Sequence, residues 1–414
     1  MPEPTFGRVP FAQANAFLQR KLQLPSAHWD ELRGAVHAHA FTAAGATKLQ
    51  LVDDLHQAVI AARTGGETLS SFAKRFDEVV AKHGWSYRGN RAFRTRTIFQ
   101  TNMATAAAAG HWEQMMRTKA TRPYGMYLTA DDHAVRDEHR RWHRIILPLD
   151  HPWWRTHYPP NGWGCRCTVV SLSESDLKRL GLEVSEAPDL ERTDRVIGST
   201  GEIVEGVPHG IDIGWDYNVG RAWMGPPVAL GQAIAKLPPA LRAVVASPQR
   251  LRRFGVQLQA TWAPWIQDVI RTEGKTGGPL AVGYFNAPVL DALEQRGLGL
   301  RSALFSITGN RAWHLHTQTK DARRRRPRAD GNPAGLTTAQ LLQLPLLAAG
   351  TKRVYLDTTE QRLILVLASG DVLRLVIKPD EAYRGVFMSR VVTAGRVEEH
   401  NLEQPHMELL WRAE

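Results

Sequence analysis

Apolar residues recur at helical spacing through the first quarter of the chain. Phe11, Ala14, Leu18 and Leu22 mark one face, and Pro25 stops that segment. Thr47 with Gln50 has the form of a capping box, which opens a helix closing at Gly65-Gly66. Leu69, Phe72, Phe76, Val79 and Val80 form the next apolar face, up to Gly84. Within Phe93–Met116 the run Ala104–Ala109 favours helix, because alanine loses no side-chain entropy there. Gly110 then marks a kink or a tight helix–helix contact. The pattern predicts a helical bundle over residues 1–120.

The period changes after Arg122-Pro123. Residues 121–175 mix short β-like pieces and turn formers with a high density of Trp and His. Residues 176–239 are punctuated by Gly198, Gly201, Gly206, Gly210, Gly214 and Gly220 and by Pro226-Pro227 and Pro238-Pro239. They read as an extended strap anchored by Trp215, Tyr217 and Trp223, with a hinge around Gly231–Pro239. In residues 240–414, Val354–Asp357, Leu363–Leu367, Val372–Ile377 and Val391–Val397 are short β-rich runs. Turn formers such as Ser369-Gly370-Asp371 separate them, and helix-like sequence including Thr337–Leu347 precedes them. The expectation is a multidomain chain. A mainly α-helical N-terminal domain carries a small irregular β/loop Cys-His module, and an α+β domain with an antiparallel sheet follows.

Composition narrows the class. At 414 residues, 43% hydrophobic and 22% charged, the chain is long enough for several cores and too apolar for general disorder. No stretch approaches the roughly 20 apolar residues of a membrane span. The start lacks the basic and apolar regions of a secretory signal. Cys165 and Cys167 are the whole cysteine content, which excludes a disulfide-stapled scaffold and points to a reducing compartment. The net charge of +11 is uneven, since Arg311–Asp330 holds seven basic residues against two acidic ones. Arg323, Arg324, Arg325, Arg326 and Arg328 form a footprint for phosphate-rich nucleic acid, or else a solvated loop.

His139 and His143 lie four residues apart, on one face if that segment is helical. With Cys165 and Cys167 they make a sensible tetrahedral set for a structural zinc ion. His157 and Asp132 are substitute ligands. The alternative is that the cysteines are small buried hydrophobes and the histidines hydrogen-bonded core residues. An enzyme centred on this set is disfavoured, because no water-activating motif accompanies it and four protein ligands leave no open position.

Asp132, Arg136, His139, His143 and the run PPNGWGCRC (Pro159–Cys167) resemble the phage Mu F-like minor head proteins, the head morphogenesis family of tailed phages and prophages. Pro10–Pro25, His37–Ala46, Thr97–Gly110 and Val207–Gly220 resemble that family as well. The resemblance implies a minor capsid component that joins the head near the portal, with portal and capsid partners, and that enters the host with DNA. No membrane partner is expected, since no apolar span is present. The protein would be located in the virion, and in the bacterial cytoplasm during assembly. For the acid–His–Cys–Cys set it implies a structural or metal-binding role.

The last third is similar to phage nucleases of the barnase–EndoU–colicin–RelE type, through Ser306–His316, the LPLLAAG helix, the strand meander and Arg390–Ala394. Metal-independent RNA cleavage needs a base, an acid and cations on the phosphorane, and it needs no cofactor. His314 and His316 are the candidate proton carriers, Lys378 and Arg390 the phosphate clamps, and Thr393 a hydroxyl donor. The expected function is thus a head morphogenesis protein carrying a ribonuclease-like effector domain. The alternative is a purely structural head protein whose last domain is inactive and binds nucleic acid or a capsid partner.

Overall fold

Helix α1 (Ala12–Gln19) crosses the long helix α4 (Arg91–Thr118) at a point where only glycine fits. A Cβ on Gly110 would lie 2.7 Å from Phe11 Cζ and 3.0 Å from the Ala14 nitrogen, so Gly110 marks a close contact. The computed structural model describes residues 11–275, 278–316, 335–367, 372–383 and 386–413. Its chain forms two compact units, 1–225 and 226–414.

In the first unit, α2 (Leu49–Gly65) and α3 (Leu69–His83) end on Gly66 and Gly84, both in the left-handed conformation that glycine adopts without strain. The capping box expected at Thr47 does not form. The N-cap of α2 is Lys48, without a side-chain cap. The apolar face expected to run through Leu22 also breaks early. Leu22–Gln23 (β1) leaves the helix and pairs in parallel with Ala40–Phe41 (β2).

Three short strands follow, β3 (Tyr124–Leu128), β4 (Ile146–Pro148) and β5 (Thr168–Leu172), in the order β4-β3-β5, all antiparallel. Between them lie α5 (Asp137–Arg141) and α6 (Trp154–His157). Helix α7 (Glu174–Leu180) carries a capping box of Ser173 with Asp176. An antiparallel hairpin, β6 (Arg192–Val196) and β7 (Ile203–Pro208), precedes α8 (Val219–Met224). A single apolar core joins Phe17, Leu55, Phe72 and Trp112 of the helices to Tyr127, Trp142, Trp153, Trp154 and Tyr158. Trp215 is buried in it, and Tyr217 and Trp223 pack on it. The Gly/Pro-rich segment therefore returns to the helices that precede it.

The second unit begins with α9 (Val228–Lys236) and α10 (Pro239–Val245). The hinge expected around Gly231–Pro239 is largely helical. Gly231 faces Ser302 and Leu304 so closely that a Cβ would sit 2.4 Å from Ser302 Oγ. Helix α11 (Pro248–Arg271) buries Leu251, Phe254, Trp262, Ile266 and Val269, and Trp262 Nε1 donates to the Leu341 carbonyl at 2.7 Å. Strand β8 (Leu280–Tyr284), α12 (Ala287–Gln295), β9 (Leu304–Ile307) and α13 (Gly309–Leu315) follow.

The chain then builds β10 (Arg353–Asp357), β11 (Arg362–Val366), β12 (Leu373–Tyr383), β13 (Val386–Arg396) and β14 (Met407–Arg412). The described strands form one sheet in the order β14-β10-β11-β12-β13-β9-β8. It is antiparallel except where β9 runs parallel to β13, a junction that the expectation of an antiparallel sheet did not contain. Strand β11 is central and buried, as its LILVL run requires. The turn at Ser369-Gly370-Asp371 and the arginines 323, 324, 325, 326 and 328 lie outside the described residues.

Candidate metal centre

The segment from Asp132 to His139 reaches the loop 159–167 through three side chains in turn. Asp132 forms a bidentate ion pair with Arg166, both contacts at 2.6 Å, and Arg166 lowers its carboxyl to about 2. Arg136 Nη2 donates to the Trp163 carbonyl at 3.0 Å and to Asp212 Oδ2 at 2.9 Å. Asp212 Oδ2 in turn accepts from the Trp163 backbone N–H at 2.9 Å. A Cβ on Gly162 would stand 2.1 Å from Arg136 Nη1 and 2.4 Å from Asp212 Oδ2, so this network needs glycine there.

His139 completes the series. Its Nδ1 lies 3.8 Å from Cys165 Sγ and 3.6 Å from Cys167 Sγ. The three ligand atoms lie within 4.8 Å of one another. His139 is buried, stacks on Trp142 at 4.9 Å, and donates from Nε2 to the Gly210 carbonyl at 2.9 Å. That bond leaves Nδ1 as the lone-pair nitrogen facing the sulfurs, the arrangement found behind metal-ligating histidines.

The two thiols are coupled: the hydrogen bond between them pulls Cys165 below the usual thiol range, and the same contact together with burial pushes Cys167 up. Loop position is held from below as well. The buried Asn161 accepts from the Tyr127 hydroxyl at 3.0 Å and donates to the Thr156 carbonyl at 3.2 Å.

His143 does not join this group. Helix α5 ends at Arg141, so the i, i+4 relation that would place both imidazoles on one face is lost. His143 instead sits in the following turn, with Nδ1 2.8 Å from Thr129 Oγ1. His157 stacks on Trp153 at 4.6 Å with Nδ1 2.8 Å from Thr156 Oγ1, and Asp132 is committed to Arg166. Neither substitute ligand enters the cluster. Gly210, Tyr127 and Asn161 were missed as parts of the site. Asn161 lay within the PPNGWGCRC run and Gly210 within a Gly-rich stretch, but neither signal named the partner.

Residues 53–170 match the family described as phage Mu protein F like protein, and this span contains all three cluster residues. The chain is 30% identical to the capsid assembly protein F of Escherichia phage Mu, over 92% of its own length and 90% of that protein's. This chain belongs to the phage Mu protein F-like family. The Mu-like prophage FluMu F protein of Haemophilus influenzae is 26% identical, over 80% of this chain and 84% of its own. No solved structure matches the chain at a significant level.

In the second unit of this Mu F-like chain, the residues suggested for catalysis fall in two places. Lys378 and Arg390 are register partners on β12 and β13, and both pair with Glu381, at 3.5 Å and 2.6 Å. Thr393 stands opposite Val376 on the same ladder. His314 and His316 belong to α13 and its C-cap. His316 is buried, stacked on Trp313 at 5.4 Å, with Nε2 2.9 Å from Thr338 Oγ1. Helix α13 does pack on β13, where Arg311 donates to the Val392 carbonyl at 3.3 Å.

Proposed function

We propose that this chain is a phage or prophage head protein, incorporated during capsid assembly beside portal and capsid subunits. The observation that carries the reading is the extent of the likeness to a capsid assembly protein. A match over 92% of the chain cannot be contained in its first 225 residues, so most of the second unit shares it. That favours one assembly protein with two structural units over a head protein with an unrelated effector. The second unit's geometry adds support: Glu381 draws on both proposed phosphate clamps, and His316 is buried against Thr338.

The proposal includes a zinc ion held by His139, Cys165 and Cys167, which fastens the 159–167 loop to α5. Zinc with ligand bonds of about 2.0–2.3 Å places tetrahedral N and S donors about 3.5 Å apart. The observed 3.6 and 3.8 Å fit that separation.

Expression with the head genes of the phage that encodes it is the direct test. The chain should sediment with assembled heads, and its loss should reduce their number. Heads formed at normal yield without it would end the reading. Incubating the full chain with RNA and a chelator separates the ribonuclease alternative. Cleavage that disappears in His314→Ala would restore that alternative.

A further inference from the structure

The cluster supplies three ligands, and among the described residues no fourth His, Cys, Asp or Glu joins it. A closed structural zinc site has four protein donors, whereas three leave a vertex for an outside ligand. What lies beside the cluster is a cavity of about 420 Å³. Both cysteines line it and His139 does not. Helix α4 also lines it, through Phe99, Met103, Ala107 and His111, as does Trp215.

We infer that the metal held by His139, Cys165 and Cys167 keeps an open coordination position facing this cavity, and that the position takes a neutral imidazole-type nitrogen donor. The inference rests on the metal reading proposed above. Zinc favours nitrogen and sulfur donors, and an imidazole ring suits a space walled by Phe99, Met103 and Trp215. A neutral donor fits better than an anion, because Arg166, the cation that lines the cavity, already pairs with Asp132 at 2.6 Å. The volume exceeds what a single water needs, so the site accommodates a ring.

The test uses the full chain loaded with Co²⁺ in place of zinc, titrated with imidazole. The d–d bands should move saturably while the metal content stays at one per chain. Ala107→Trp, which fills the cavity from α4 and touches no ligand, should bind Co²⁺ equally and lose the shift. If Co²⁺ binds with thiolate charge-transfer bands and imidazole moves nothing, the fourth position is closed and the inference is overturned, while the metal reading stands. A shift retained in Ala107→Trp would also overturn it, because the ligand would then enter elsewhere. If no Co²⁺ binds at all, both readings fail together.

Discussion

His139 Nε2 and the carbonyl oxygen of Gly210 lie 2.9 Å apart across 71 residues of sequence, and this bond aims the imidazole at the cysteines. Gly210 has φ +79°, and a Cβ there would stand 2.7 Å from Glu138 Cβ and 3.0 Å from Trp142. Gly210→Ala should therefore strain the backbone by roughly 1–3 kcal/mol and displace the carbonyl. A lower melting temperature together with weaker metal retention is expected. Unchanged metal retention in a chelator competition would show that Gly210 does not orient His139.

Ligand identity separates the structure from the spacing argument. Cys165→Ser, Cys167→Ser and His139→Ala should each remove the metal and lower the melting temperature, because metal binding contributes to folding stability. His143→Ala should retain close to one metal per chain. Loss of metal in His143→Ala would mean that the turn after α5 rearranges to bring this residue in.

Gly220 on α8 marks the closest approach to α4. An added Cβ would fall 2.2 Å from Trp112 Cβ and 2.6 Å from Trp112 Cγ. Gly220→Ala must push the helix away from a Trp112 that is only 3% exposed, at about 1–3 kcal/mol or more. Thermal melting should show a clear loss, whereas Gly198→Ala, where a Cβ meets nothing within 4 Å, should melt close to the unaltered chain.

Four histidines of the first unit make it acid-sensitive. Burial lowers His37, His39, His56 and His157 to about 4, against about 6.5 in an unfolded chain. His56 is held neutral from both sides, with Nε2 donating to the Leu18 carbonyl at 2.8 Å and Nδ1 accepting from Gln23 Nε2 at 2.9 Å. Between pH 6.5 and 4 the unfolded state binds more protons, so stability falls as pH drops through that window and levels off below it. The melting temperature should decline from pH 7 to pH 5, and less steeply in His56→Gln. A flat profile over that range would count against buried neutral histidines.

The sequence alone determined the local features and the membership. Gly65-Gly66 announced the end of α2, apolar spacing and Gly84 located α3, and the alanine-rich run located α4, because helix period, propensity and a left-handed cap are properties of neighbouring residues. The β-rich runs of the last third announced β10 to β13 for the same reason. The family was readable in Asp132, Arg136, His139, His143 and PPNGWGCRC, and of these four side chains all but His143 contact the loop 159–167. Tertiary structure decided the rest. It excluded His143 by ending α5 at Arg141, a boundary that no i, i+4 count reveals. It paired β9 in parallel with β13, and it brought Gly210 to His139 through the fold of the Gly-rich segment. Such contacts depend on packing between residues far apart in the chain, and one-dimensional spacing carries no information about which distant segments meet.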